Sequence, residues 1–241
     1  MTGREFSFSY EGDPVIEHIE RCAPVPRESP TRNSFYVYVM GPYTAFDATY
    51  PFPDADKLDS PFIEDPLFDP QKHLHKIDRH SYEAALADLS ESIRGELGAR
   101  AFLATDIKTI PTVEEAPSGE PGMSVLDQSI AFAAVSDAVV FVFTDAGLTT
   151  GAGSEVGAIL SDYNLRCENP EPDRKPRKRI GLFLHEEFSS ASIDEVPYTY
   201  DIPTRDFTSR NHLLQRIQGF LEDIRREKHS RPFPVYEPFE S

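Results

Sequence analysis

Glu155 is the side chain best placed in this sequence to do chemistry. It follows the connection Asp145-Ala-Gly147-Leu-Thr-Thr-Gly151-Ala-Gly153-Ser, which leaves the apolar run Ala138-Val-Val-Phe-Val-Phe143. A short run of branched and aromatic residues reads as a strand buried on both faces, and Val156, Ile159, Leu160 and Tyr163 then recur at helical spacing. Glycines let backbone amides approach a ligand closely, and a helix N-terminus adds partial positive charge. The spacing predicts a helix entered at about Ala152, which sets Glu155 in its first turn, roughly 90° from the buried stripe. A carboxylate held ionised at a strand-end crevice suits a nucleophile. The same position also serves an acidic residue that merely complements the helix dipole, an effect of ~0.3–1 kcal/mol. A capping box is excluded, since position 152 is Ala rather than Ser or Thr. Neither the Walker pattern nor the GxGxxG fingerprint is present, so no triphosphate or dinucleotide site of those kinds is expected.

A second strand-end connection faces the same requirement. Phe35-Tyr-Val-Tyr-Val-Met40 is another buried-strand candidate, and it stops at Gly41-Pro42-Tyr43-Thr44. Asp106 follows the strand candidate Phe102 to Thr105; lining the crevice and capping its own turn both explain it. His73, His75 and His80, with Asp69 and Asp78, lack a recognised ligand spacing, so neither a metal nor a cofactor is expected. The basic run Arg174-Lys-Pro-Arg-Lys-Arg179 reads as a solvated connection before the strand Ile180 to Leu184 rather than an anion grip. Cys22 and Cys167 have no Cys-x-x-Cys partner and read as reduced thiols.

The elements that must position these residues alternate along the chain. Asp13-Pro14 opens a short helix carrying Val15, Ile16 and Ile19, after which Pro24, Pro26 and Pro30 forbid regular structure, so 1–33 reads as an N-terminal extension. Residues 34–230 form the main domain, interrupted at 44–79 by an insertion rich in Asp, Pro and aromatics that is either a lid or a surface cover; 231–241 is a tail. Helical periodicity marks Tyr82 to Leu97, Leu126 to Ala134, and Leu213 to Ile224, and Tyr198 to Ile202 reads as a weak strand. Strands separated by helices predict a doubly wound, flavodoxin- or Rossmann-like α/β fold. Its parallel sheet should have about five strands, with Phe35–Met40 and Ala138–Phe143 adjacent at the centre. Ligands of such sheets bind beyond the carboxyl ends of the strands, where strand order reverses.

Composition narrows the function classes. Among 241 residues, 41 acidic side chains against 24 basic ones give a net charge of −17, and only seven of the basic residues are lysine. The acid is dispersed among amphipathic segments, so it belongs to a folded surface rather than a disordered tail. Such a surface suits high ionic strength, where a Debye length of ~3 Å at 1 M removes self-repulsion. It opposes nucleic-acid binding, which needs a positive field. No apolar run approaches the ~20 residues of a membrane span and no basic-then-apolar leader opens the chain, so a cytoplasmic protein is expected.

Three segments together resemble the nucleoside 2-deoxyribosyltransferase-like family, and more closely a haloarchaeal branch of it. They are Tyr38-Val-Met-Gly-Pro-Tyr-Thr44, Asp127-x9-Asp137-Ala-Val-Val, and Gly151-Ala-Gly-Ser-Glu155-Val-Gly157-Ala. The resemblance implies cleavage or transfer at an N-glycosidic bond of a nucleoside, nucleotide or NAD-like substrate. It implies Glu155 as nucleophile, Asp127 hydrogen-bonding or protonating the departing base, and Gly41 and Tyr43 shaping the sugar pocket. A homo-oligomer that completes its pocket across a subunit interface is implied too. The chain departs from the family pattern at Thr149, where an Asp is usual, and at Ala152, where a Thr is usual. Those departures leave a non-catalytic nucleotide-binding or sensor module as the alternative.

Overall fold

The computed structural model describes residues 9–26, 35–41, 81–144, 149–162, 177–202 and 204–230. A small antiparallel pair, β1 (Ser9–Tyr10) and β2 (Asp13–Pro14), leads into α1 (Val15–Cys22). The main sheet is built from β3 (Tyr36–Met40), β4 (Arg100–Phe102), β5 (Ala138–Phe143), β6 (Ile180–His185) and β7 (Thr204–Phe207). Between and after these strands come α2 (Ser81–Leu97), α3 (Val125–Val135), α4 (Thr149–Asp162), two short helices α5 (Ala191–Asp194) and α6 (Val196–Tyr200), and α7 (Arg210–Ser230).

All five strands are parallel, in the order β4-β3-β5-β6-β7. Counted along the chain this is 2-1-3-4-5, the flavodoxin-like doubly wound order. The two most apolar strands, β3 and β5, are adjacent, with Tyr38 opposite Val139 and Val39 opposite Val140. Asp137 fixes that register: its N–H donates to the Tyr36 carbonyl and its carboxylate accepts the Tyr36 N–H, both at 2.9 Å.

The alternation of the strands splits the core into two layers. Val37, Val39, Val140 and Val142 face α2 and α7, meeting Leu86, Leu89, Ile217 and Phe220. Tyr38, Met40, Phe102, Phe141 and Phe143 face the layer that holds α1, α3 and α4. There Tyr38 stacks on Phe102 with centroids 5.3 Å apart, and Phe132 of α3 meets both rings edge-on. Chain direction across the sheet reverses between the β3–β4 and β4–β5 crossovers. Right-handed connections therefore put α2 on one face and α3 on the other.

Three expectations are corrected or refined. The fifth strand is Thr204–Phe207, not Tyr198 to Ile202: Pro197 sits in the first turn of α6, and Asp201 (φ 52°) ends that helix in the left-handed region. As a polar edge strand with only Phe207 buried, β7 has no apolar run to betray it. The described part of the 1–33 extension is no free arm. Tyr10, Val15, Ile19 and Ala23 lie in the same core as the sheet, and the buried guanidinium of Arg100 donates to the carbonyls of Glu20 and Ala23. Finally, α4 begins at Thr149 rather than about Ala152. Gly151 and Gly153 each cost a helix up to ~1 kcal/mol relative to Ala, which made the segment read as a loop. In the fold Gly153 lies under α5, where an added Cβ would be 3.8 Å from Ile193 Cδ1. The 44–79 insertion, the 231–241 tail and Cys167 lie outside the described residues. No described helix is long and apolar enough to cross a membrane.

Candidate functional site

The 2-1-3-4-5 order places its reversal between β3 and β5, so the crevice of a doubly wound sheet falls beyond Met40 and Phe143. Gly41 and Thr144 are the first residues past those ends, and Thr144 is buried. Gly41 is needed there for space. A Cβ on it would lie 2.9 Å from the Val142 carbonyl oxygen and 3.0 Å from a Leu86 methyl. Pro42, Tyr43 and Asp145 lie outside the described residues.

On the α3 and α4 side of this end the structure brings together two polar side chains from different segments. Ser129 of α3, 1% exposed, donates from Oγ to Oε1 of Glu155 at 2.9 Å; Glu155 of α4 is 7% exposed. The helices pack side by side, and Val156, Ile159 and Leu160 anchor α4 in the core around the carboxylate. Helices that join parallel strands run antiparallel to them, so the N-terminal halves of α3 and α4 both lie toward the crevice. With α4 starting at Thr149, Glu155 is its seventh residue rather than part of its first turn. Dipole complementation acts within the first turn and does not account for it.

Burial decides the electrostatics of Glu155. It pushes the carboxyl above the ordinary carboxylate range, and the Ser129 hydrogen bond opposes that rise in part. No cation among the described residues forms an ion pair with Glu155. A buried carboxylate without a counter-charge destabilises a fold and needs an explanation other than stability.

The remaining candidates have structural partners. Asp127 stands in the first turn of α3, where its backbone N–H and its carboxylate both bond the hydroxyl of the N-cap residue Ser124, at 3.1 and 2.7 Å. Two residues along a helix turn through about 200°, so Asp127 leaves α3 on the side away from Ser129, and no described hydrogen bond joins it to Glu155. Asp106 accepts the Leu103 N–H at 2.8 Å and closes the turn after β4. Gly151 and Gly153 are helical residues of α4. The histidine and aspartate group at 69–80 lies outside the described residues, and among those described no three His, Cys, Asp or Glu side chains converge as a metal would require. A surface pocket of about 350 Å³, lined by Glu96, Leu97, Gln218, Glu222, Arg225 and Arg226, lies at the opposite end of the sheet, where α2 hands over to β4.

Sequence reading passed over Ser129. Its signal was present: a serine set four residues before Ala133 and three before Phe132, inside a helix of buried apolar residues. A buried polar side chain requires a partner, and Glu155 supplies it.

These features define a flavodoxin-like doubly wound α/β protein with a buried serine–carboxylate pair on the crevice side. A family model described as a domain of unknown function, DUF7509, matches residues 15–237, and the chain belongs to that family. No curated protein and no solved structure matches it.

Proposed function

We propose that this protein cleaves an N-glycosidic bond in a nucleoside, nucleotide or NAD-like glycoside, with Glu155 as the nucleophile. The observation that carries this reading is the buried Glu155 carboxylate with a described hydroxyl donor and no described cation. Glycosyl transfer passes through an oxocarbenium-like transition state, so positive charge develops at the anomeric carbon beside the carboxylate. A carboxylate with no counter-charge among the described residues is complementary to that state rather than to the ground state.

In the first step one carboxylate oxygen bonds to the anomeric carbon. The C–N bond breaks with its electron pair going to the base, which takes up a proton when it leaves a nucleoside or nucleotide and leaves neutral without one from an NAD-like pyridinium. In the second step water or another base attacks the same carbon and frees the carboxylate, giving a hydrolase or a transferase. The family resemblance gives Asp127 the role of hydrogen-bonding or protonating the departing base; its carboxylate accepts from Ser124 and it leaves α3 on the side away from Ser129, so that role requires the side chain to give up this bond and turn toward Glu155.

The test is a panel of nucleosides, nucleotides and NAD assayed for free base in ~2–4 M KCl, where surface repulsion is screened. Glu155→Gln keeps the shape and loses the charge, so turnover should fall by about three orders of magnitude or more with ligand affinity retained. Equal base release by both proteins refutes the mechanism. The departures from the family pattern at Thr149 and Ala152, which remove a carboxylate and a hydroxyl, favour a second reading, a non-catalytic nucleotide-binding module. Nucleotide binding without base release by the wild type would select it.

A further inference from the structure

We infer that Ser129 is a positioning residue for Glu155, fixing Oε1 by its hydrogen bond and leaving Oε2 as the oxygen that attacks the anomeric carbon. This assignment rests on the glycosidic reading above and extends it to a residue outside the three segments' recognised roles.

The geometry supports an asymmetric carboxylate. The Ser129 hydroxyl donates to Oε1 at 2.9 Å, and no described residue donates to Oε2. Ser129 is itself locked. It is 1% exposed, lies between Gln128, whose side-chain amide donates to the Ile110 carbonyl at 2.7 Å, and the buried Ile130, and its helix is capped by Ser124. A donor held on a packed helix costs no reorganisation when the carboxylate reacts. An oxygen engaged by a hydroxyl has its lone pair directed at that proton and is the weaker nucleophile of the two.

The same bond works toward the protonation state needed for attack, in part against burial. Burial favours the neutral acid, which cannot act as the nucleophile, and the Ser129 hydrogen bond is the influence that favours the ionised form. Ser129 thus does two things through Glu155: it holds the carboxylate's orientation and widens the pH range over which it is ionised. Neither requires contact with substrate.

Ser129→Ala, with Ser129→Thr as the conservative variant, tests this by two readouts. The first is titration of the Glu155 carboxyl by ¹³C NMR in the ligand-free protein, identified by its absence from Glu155→Gln. Ser129→Ala should move that titration to higher pH, and Ser129→Thr should return it toward wild type. The second is the pH profile of base release. Ser129→Ala should lower kcat by about 10- to 100-fold, the size expected for a hydrogen bond to a charged group, and move the acidic limb upward in step with the NMR titration. A merely structural serine would change the melting temperature but leave the acidic limb in place. Wild-type rate and pH profile in Ser129→Ala, with Glu155→Gln inactive, overturn the inference and spare the glycosidic reading. Unchanged base release by Glu155→Gln overturns both. A threonine variant that matches alanine in titration and rate, with melting temperature retained, also overturns the inference, because it shows that the hydroxyl is not what matters.

Discussion

Replacing Gly41 by alanine probes the point where fold and site are built from the same atoms. The new Cβ would sit 2.9 Å from the Val142 carbonyl oxygen and 3.0 and 3.4 Å from the two Leu86 methyls. The methyls end a flexible side chain and can rotate away. The carbonyl belongs to β5, which is held in the ladder by β3 on one side and β6 on the other, and cannot. Overpacking of this kind costs about 1–3 kcal/mol, or a fall in Tm of roughly 2–4 °C per kcal/mol for a chain of this size. Urea unfolding should show a lower midpoint at unchanged slope, the signature of lost stability rather than an altered unfolded state. Leu86→Ala in the same background separates the two obstructions. If the carbonyl is the obstruction, at least half of the Gly41→Ala cost persists there. A cost below about 0.5 kcal/mol, the range of an ordinary surface change, would refute the claim that strand spacing demands glycine at this end of β3.

The remaining predictions address the N-terminal helix, the surface and the buried acid. Arg100→Met should destabilise the protein by about 2–4 kcal/mol, because it strips donors from the Glu20 and Ala23 carbonyls and removes a guanidinium 5.5 Å from the Tyr36 ring centroid; a change under about 1 kcal/mol in urea unfolding would show that α1 docks without it. Thermal stability should rise from ~0.1 M to ~2 M KCl as screening relieves a net charge of −17, and a flat or falling Tm would contradict that. Glu155→Gln should also raise stability at neutral pH. The native carboxyl's affinity for its proton is raised by burial, so wild-type stability declines as pH rises from the ordinary carboxylate value through the raised native one. The gain should vanish below the ordinary value, and a Tm difference independent of pH would be the contrary result.

The sheet was legible because its central strands carry their burial in their composition. β3 and β5 are continuous apolar runs, as strands covered on both faces must be, and Ala85, Leu86, Leu89, Ile93 and Leu97 of α2 recur at helical spacing. Where that signal thins, the reading went astray. β7 is polar and at an edge, and the first turns of α4 take in two poor helix formers, Gly151 and Gly153. The seating of α1 was invisible for another reason: it depends on Arg100, 77 residues beyond the Ala23 carbonyl it holds. No local pattern encodes a contact of that range.

Glu155 shows the same limit at the site itself. Its spacing from the glycines singled it out, but the first-turn position that made a dipole role plausible disappears once α4 gains three residues at its start. What replaces it is a contact between helices: a serine 26 residues earlier closes on the carboxylate, and burial rather than a helix terminus sets its proton affinity. A stabilising acid would be expected in the first turn or beside an arginine. This one is buried against a single described hydroxyl, where an ionised carboxylate is worth least to the fold and most to a cation that forms in front of it.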